Sequence, residues 1–170
     1  MTPVSFKHLV HVGVGSNVER EHNIRSGVNA LHERFRKVVV STVYESAAVG
    51  FDGAPFYNLV VRFETELSID ALAVMLRQIE DVHYRDRTLS SFGPRTLDID
   101  LLLYDDEVLH QGKLQLPRDE IEKNAFVLRP LAELSGELIH PVRDESLSVM
   151  WQQFDHALQP LTAVEFDWNV

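Results

Sequence analysis

LDIDLLLY, residues 97–104, is a strongly apolar segment interrupted by two aspartates. A short apolar run of this kind predicts a buried β-strand. Because successive side chains of a strand point to opposite faces, Asp98 and Asp100 share one face, about 6 to 7 Å apart at the backbone, and Ile99 points to the other. The segment therefore predicts a strand with two carboxylates on one side and core residues on the other.

The chain before this strand alternates between strand and helix patterns. Apolar residues at helical spacing predict one helix that ends near Lys37 and another that begins after the N-cap Ser68 and ends near His83. Further apolar runs predict strands over residues 9–14, 38–44 and 58–66. The resulting order, βαββαβ, predicts a ferredoxin-like α+β fold with a mainly antiparallel sheet and two helices on one face.

The last third of the chain adds to this core. Residues 126–134 and 147–158 carry apolar side chains at helical spacing. We expect these two helices to cover the second face of the sheet and to complete a three-layer α-β-α sandwich. Since the sequence contains neither a repeat nor a linker, residues 1–170 are expected to form a single domain.

The composition limits the possible partners and compartments. A formal net charge of −10 argues against binding DNA or RNA through a broad basic surface. The absence of cysteine fits a reducing compartment, and the apolar run at residues 9–14 is too short for a signal-peptide core or a membrane span. The sequence thus indicates a cytoplasmic protein without nucleic-acid or membrane contacts, and we expect a monomer.

The two aspartates on one strand face predict a magnesium site. Neighbouring carboxylates repel each other, and a hard divalent cation with oxygen ligands relieves that repulsion. Taken alone, the pattern fits an acidic, solvent-exposed strand face somewhat better. Arg85, Arg87 and Arg95 precede the strand and favour the metal, because guanidinium groups bind phosphate oxygens. We therefore predict that this strand holds a magnesium-bound nucleotide triphosphate.

A second group of residues suits the recognition of a flat heterocycle. Phe56 and Asn58 share a strand face. An aromatic ring stacks on a heterocycle, and an amide both donates and accepts hydrogen bonds at its edge. Core packing for Phe56 and a turn role for Asn58 remain alternatives. Gly13-Val14-Gly15 lacks the further residues of a dinucleotide or P-loop fingerprint, so these glycines carry little weight.

In combination, these segments resemble the 6-hydroxymethyl-7,8-dihydropterin pyrophosphokinases of folate biosynthesis. The resemblance runs from about Val10 to Pro141, and its most specific part is the string Gly-Pro-Arg-Thr-Leu-Asp-Ile-Asp at residues 93–100. Its other carriers follow in the family's order, namely Gly15-Ser16-Asn17, residues 44–58, Glu80 with Arg85 and Arg87, and residues 126–131. The resemblance implies a ferredoxin-like α-β-α fold and transfer of pyrophosphate from ATP to the pterin hydroxymethyl group, with release of AMP.

The resemblance also implies the parts of the site. Asp98 and Asp100 would ligate two magnesium ions, and Arg85 and Arg95 would neutralise charge on the transferred group. The implied ATP-binding residues are Arg77, Glu80, Arg87, Leu101, Lys113, Gln115 and Arg118. The implied pterin-binding residues are Ser46, Ala47, Val49, Phe56, Asn58, Phe92 and Phe126, with the pterin ring stacked between Phe56 and Phe126.

Four positions depart from the family's pattern, and one of them is Tyr84, where the family usually carries glycine just before the first loop arginine. Arg118, Asp119 and Asn124 stand where the family usually carries His, an aromatic residue or proline, and Arg. These departures leave a second hypothesis open, that of a divergent relative which binds pterin or nucleotide without turnover or which uses another substrate. A ferredoxin-like interaction module without a small ligand is a third hypothesis. Release of AMP from ATP separates the first hypothesis from the non-catalytic ones.

Overall fold

The computed structural model of the chain describes residues 7–47, 53–83 and 96–169. The main sheet and its first helices comprise β1 (His8–Ser16), α1 (Arg20–Arg34), β2 (Arg36–Val40), β3 (Val43–Ser46), β4 (Phe56–Thr65), α2 (Ile69–Val82) and β5 (Asp98–Tyr104). The remaining elements are β6 (Leu109–Gln111), β7 (Leu114–Leu116), α3 (Glu120–Lys123), α4 (Ala125–Ser135), α5 (Leu147–Gln153) and β8 (Thr162–Val164).

The main sheet has the strand order β5-β1-β4-β3-β8, and β2 also pairs with β4. All of its pairings are antiparallel. The order β5-β1-β4 followed by β2 and β3 is that of a split βαβ pair, in which each helix connects strands that are not neighbours. The predicted ferredoxin-like fold is therefore confirmed.

Helices cover both faces of this sheet. On one face, buried residues of β1 and β4 such as Val12 and Val61 pack against α1 and α2 through Ile24 and Leu72. On the other face, strand residues including Val60 and Leu102 pack against α4 and α5 through Leu128, Leu131 and Leu147. Burial of each such side chain contributes roughly 1.5 to 3 kcal/mol. The predicted three-layer arrangement is confirmed, and no described helix is both long and apolar enough to span a membrane.

The ends of α2 follow its sequence signals. The Ser68 hydroxyl accepts a hydrogen bond from the Ala71 backbone N–H at 3.2 Å, as a helix N-cap does. The helix ends at Val82, and His83 is its C-cap. Both predicted ends of this helix are therefore confirmed.

Two predicted boundaries before β4 are wrong. Helix α1 ends at Arg34 and not near Lys37, because Phe35 is extended and Lys37 has a positive φ of 52°. The strand predicted over residues 38–44 is divided into β2 and β3. At the break, the Ser41 hydroxyl accepts the hydrogen bond from the Val60 N–H at 2.9 Å, so a side chain replaces a backbone partner.

The helix predicted over residues 147–158 is also too long. It ends at Gln153, because Phe154 is extended. Beyond it, the His156 ring stacks on Trp151 with 4.0 Å between ring centroids. The chain then continues into β8, which pairs with β3 at the edge of the sheet. Neither β8 nor the hairpin of β6 and β7 was predicted.

Candidate active site

A single row of residues crosses the sheet and joins the two predicted half-sites. Gly15 on β1 pairs with Asp98 on β5 and, on its other side, with Asn58 on β4. Asn58 in turn pairs with Tyr44 on β3. Residues paired across neighbouring strands point to the same face, and two strand spacings amount to about 10 Å. The predicted metal ligand and the predicted pterin-binding amide thus lie about 10 Å apart on one face, with a glycine between them.

Gly15 is required by a close approach at the centre of this row. A Cβ atom added to Gly15 would lie 2.6 Å from Asn58 Oδ1, whereas one added to Gly13 would meet only the Leu102 side chain at 3.6 Å. In the sequence, Gly13 and Gly15 carry little weight as a pair, and Gly15 counts only within the Gly15-Ser16-Asn17 carrier of the resemblance. The signal was nevertheless present, because a glycine within an otherwise β-branched strand often marks such a close approach.

The Asp98 end of the row carries two neighbouring carboxylates. Asp98 and Asp100 are both half-buried on the face that bears Asn58. Burial, followed by repulsion from Asp98, raises the pKa of Asp100 to about 7, although Arg118 opposes the shift. For Asp100, burial and the neighbouring Asp98 charge therefore outweigh the opposing effect of Arg118.

Glu80 holds the strand between these two aspartates. It lies on α2, its side chain is buried, and Oε2 accepts a hydrogen bond from the Ile99 N–H at 2.9 Å. A buried carboxylate that accepts a backbone hydrogen bond fixes the position of that backbone. Glu80 thus reaches β5 from the α2 side of the sheet and sets the strand from which both aspartates project.

The donor set at this end fits magnesium. Mg²⁺ prefers hard oxygen ligands and is usually held by one or two carboxylates together with substrate phosphates and water. Within residues 7–47, 53–83 and 96–169 there is no cluster of three or more acidic or histidine side chains suited to a metal. Asp98 and Asp100 therefore suit a cation that arrives with phosphate ligands better than one held by protein alone.

The Asn58 end of the row is neutral and hydrogen-bonded. The Asn58 amide nitrogen donates to the Ser46 hydroxyl at 3.0 Å, and both side chains are buried. Phe56, two residues earlier on the same strand face, is half-buried. Phe126 is half-buried in the first turn of α4, the helix layer that covers this face. The structure thus brings four of the predicted pterin-binding residues to one side of the sheet.

Ser16 and Asn17 tie the two ends together at the end of β1. The Ser16 hydroxyl donates to the Thr96 carbonyl at 2.6 Å, just before β5. The Asn17 amide donates to the Ala54 carbonyl at 3.1 Å, just before β4. One dipeptide therefore fixes the backbone at the start of both strands that carry the predicted site.

Other predicted site residues are more scattered. The Leu101 side chain is buried on the opposite face from Asp100, in the core beneath α1 and α2, so only its backbone faces the β5 edge. Arg77, Lys113 and Ala47 are exposed on α2, on the β6–β7 turn and after β3, and Gln115 lies on β7. Five predicted residues lie outside the described part of the chain, namely Val49, Arg85, Arg87, Phe92 and Arg95.

Gln159 is a further residue near the site that the sequence analysis missed. Its side-chain oxygen accepts from the Ala125 N–H at 2.8 Å, and its nitrogen donates to the Lys123 carbonyl at 2.8 Å. These two bonds bracket the start of α4, next to Phe126. No local pattern marks Gln159, because its partners lie about 35 residues earlier in the chain.

Comparison with known protein families gives a match over most of the chain. The family model described as 7,8-dihydro-6-hydroxymethylpterin-pyrophosphokinase matches residues 11–136. A 2-amino-4-hydroxy-6-hydroxymethyldihydropteridine pyrophosphokinase of Aquifex aeolicus is 38% identical over 136 residues, which cover 78% of this chain and 84% of that protein. The enzyme of the same name from Bacillus subtilis is 36% identical over 135 residues, which cover 77% and 80%.

Solved structures show the same fold. Wild-type HPPK-DHPS of Plasmodium falciparum aligns with a TM-score of 0.70 at 12% sequence identity. The alignment covers 87% of this chain and 43% of that one, so this chain spans less than half the length of that protein. At such low identity the likeness concerns the fold alone.

Proposed function

The chain belongs to the 7,8-dihydro-6-hydroxymethylpterin-pyrophosphokinase family, and we infer from this membership that it transfers a pyrophosphoryl group from ATP to hydroxymethyldihydropterin in folate synthesis. In the structure, this inference is supported by the row from Asp98 through Gly15 to Asn58. A pterin at the Asn58 end and a triphosphate at the Asp98 end would meet over Gly15, where no side chain intervenes.

At the acidic end, Asp98 and Asp100 are the proposed magnesium ligands, for two ions. Magnesium bound there supplies charge neutralisation of the triphosphate and activation of the substrate hydroxyl. Glu80 supports this role by fixing the backbone at Ile99 between the two aspartates. Because both carboxylates leave one rigid strand face, the protein holds them ready before the nucleotide arrives, which lowers the cost of organising the transition state.

At the neutral end, Asn58 is proposed to read the edge of the pterin. Its amide is oriented by the bond to Ser46, so its remaining donor and acceptor capacity is directed before the substrate binds. Phe56 and Phe126 are the proposed stacking partners of the ring. Ala47 and Val49 are proposed to contribute backbone contacts to the same edge.

The residues outside the described ranges keep their proposed roles. Arg85 and Arg95 would neutralise charge that develops on the transferred group, and Arg87 would bind the nucleotide. Phe92 would contact the pterin. On the nucleotide side, the proposed contacts also include Arg77, Lys113, Gln115, Arg118 and the Leu101 backbone.

An assay of AMP release tests the proposed function directly. Purified protein with ATP, magnesium and 6-hydroxymethyl-7,8-dihydropterin should produce AMP and the pterin diphosphate in equal amounts. Removal of divalent cations with a chelator should abolish both products, and readdition of magnesium should restore them. Tight pterin binding without AMP above the blank would instead support the non-catalytic hypothesis, and the same assay with GTP and CTP would define nucleotide preference.

The protein is further proposed to act as a cytoplasmic monomer of one domain. The absence of cysteine and the charge of −10 support this proposal. Sedimentation of the purified protein should give a mass near 19.4 kDa. A mass of twice that value, stable on dilution to micromolar concentration, would contradict the monomer.

A further inference from the structure

Arg118 lies beside the acidic end of the row. Its backbone N–H donates to the Leu102 carbonyl at 3.0 Å, which fixes the residue against the edge of β5. Its guanidinium Nη2 lies 3.7 Å from Asp100 Oδ1 and 3.2 Å from Glu120 Oε1. One arginine thus bridges a proposed magnesium ligand and the first residue of α3.

The guanidinium is held by one hydrogen bond among the described residues, from Nη2 to Glu120 Oε1. The 3.7 Å separation from Asp100 is too long for a hydrogen bond, so that contact is electrostatic only. Arg118 Nε is buried, and no described residue accepts a hydrogen bond from it. A buried donor without an acceptor is energetically unfavourable. The observed position therefore leaves one buried donor of Arg118 without an acceptor among the described residues.

We propose that Arg118 is an exchangeable counter-ion of the acidic end, which neutralises Asp100 from the protein side and moves to the triphosphate when a divalent cation takes its place. The proposal rests on the proposed metal and ATP site. A cation bound to Asp98 and Asp100 would lie close to the Arg118 guanidinium. Both groups are positively charged, so the cation and the guanidinium would repel each other. Phosphate oxygens that arrive with the metal offer acceptors to the guanidinium fork and to Nε.

This role has a diagnostic consequence, because it predicts opposite effects on two ligands. Arg118 competes with a free divalent cation and therefore weakens its binding. The same residue attracts the metal–nucleotide complex and therefore strengthens its binding. A residue that only binds phosphate would affect the second ligand alone, and a residue that only supports the fold would weaken both.

The test measures both ligands on Arg118→Gln. Binding of Mn²⁺ to the protein without nucleotide, followed by electron paramagnetic resonance, should tighten about tenfold, since a neighbouring charge alters a carboxylate's affinity by about this factor. Binding of the magnesium complex of α,β-methylene-ATP, followed by calorimetry, should weaken about tenfold. Neither readout requires turnover.

Two further variants serve as controls, one for the loss of a nearby positive charge and one that keeps the charge of Arg118. Lys123→Gln removes a positive charge from α3 that forms an ion pair with Asp119, and both affinities should stay within about twofold of wild type. Arg118→Lys keeps the charge but lacks Nε, so it should retain the weak Mn²⁺ binding while losing nucleotide affinity. This variant also tests the proposal if Arg118→Gln fails to fold.

The outcomes separate this proposal from the proposed function. Unchanged or weaker Mn²⁺ binding in Arg118→Gln, with intact nucleotide binding by the wild type, would overturn the counter-ion role alone. Absence of both Mn²⁺ and nucleotide binding in the wild type would overturn the proposed site together with it. Opposite shifts in a wild type that releases no AMP would support Arg118 while overturning the catalytic function.

Discussion

The two ends of the row that crosses the sheet differ in how completely the protein satisfies its own polar groups. At the neutral end, Asn58 is buried and donates to Ser46 at 3.0 Å. At the acidic end, Asp100 has a pKa raised to about 7 by burial and by Asp98, and the buried Arg118 Nε has no acceptor among the described residues. The amide at the neutral end thus has a protein partner, whereas the proposed ligand would supply partners at the acidic end.

This difference matches what each end is proposed to recognise. A neutral heterocycle is distinguished by hydrogen-bond geometry, which requires donors and acceptors fixed in advance. A highly charged triphosphate with its metal is bound by charge, and unrelieved repulsion between carboxylates makes that binding more favourable. Repulsion between carboxylates lowers the stability of the protein without its ligand. Such a loss of stability is common at functional sites.

The largest expected effect on activity comes from replacing one of the two proposed magnesium-binding aspartates at the acidic end. Asp98→Ala should reduce kcat/KM for AMP release by about a thousandfold or more, because metal stabilisation of the transition state is worth several kcal/mol. Asp106→Ala, in the exposed turn after β5, is the matched control and should retain nearly full activity. Similar small losses in both variants would remove the distinction between the two ends.

Adding one methyl group at the centre of the row should disturb the neutral end. Gly15→Ala places Cβ 2.6 Å from Asn58 Oδ1, so the amide has to move. We expect KM for the pterin to rise about tenfold, since a displaced hydrogen-bonding group costs on the order of 1 to 3 kcal/mol. Steady-state kinetics should show a much smaller change for Gly13→Ala, on the same strand with 3.6 Å available.

Loss of the Gln159 bonds should have a smaller effect on the same end. Gln159→Leu removes both contacts with the start of α4 and should raise KM for the pterin a few-fold, with a loss of about 1 kcal/mol in the free energy of unfolding. KM for ATP should stay unchanged. Gln159→Glu retains an acceptor for the Ala125 N–H and should be intermediate, and Gln152→Leu on the exposed side of α5 is the control.

The smallest expected effect concerns stability at the acidic end. Between pH 4 and 7 the folded protein retains a proton on Asp100 that the unfolded chain has lost, so stability falls as the pH rises through this window. Asp100→Asn removes this penalty. In chelator, urea unfolding at pH 8 should show a gain of about 1 kcal/mol, reduced because the side chain is 33% exposed. The gain should shrink towards zero at pH 4, and a loss of stability at pH 8 would contradict the electrostatic account.

Much of the fold follows from local sequence signals. Alternation placed Asp98 and Asp100 on one face, and Ser68 marked the start of α2 through its side-chain cap. One of the wrong boundaries has a tertiary cause. Ser41 divides a β-branched run because its hydroxyl bonds Val60 on another strand, and such a tertiary contact leaves no periodic signal along the chain.

The site was predictable where its residues are adjacent in sequence and unpredictable where they meet across the fold. The residue types at positions 56 and 58 indicated recognition of a heterocycle, and those at positions 98 and 100 indicated a metal site. The close approach of Gly15 to Asn58 depends on the pairing of β1 with β4. The contacts of Arg118 with Asp100 depend on where the chain lies after β7. Pairing and register are long-range properties, which composition and periodicity do not encode.

The position of Gln159 and β8 late in the chain affects the order in which contacts form during synthesis. A nascent chain emerges from its amino end, so these residues are synthesised after β1, β4, β5 and α4. The pairing of β1 with β4 and β5 requires only segments that are synthesised earlier. The start of α4 and the outer side of β3 gain their contacts with Gln159 and β8 later. On the ribosome, the start of α4 beside the proposed pterin end therefore gains these contacts only after the strands of the acidic end have been synthesised.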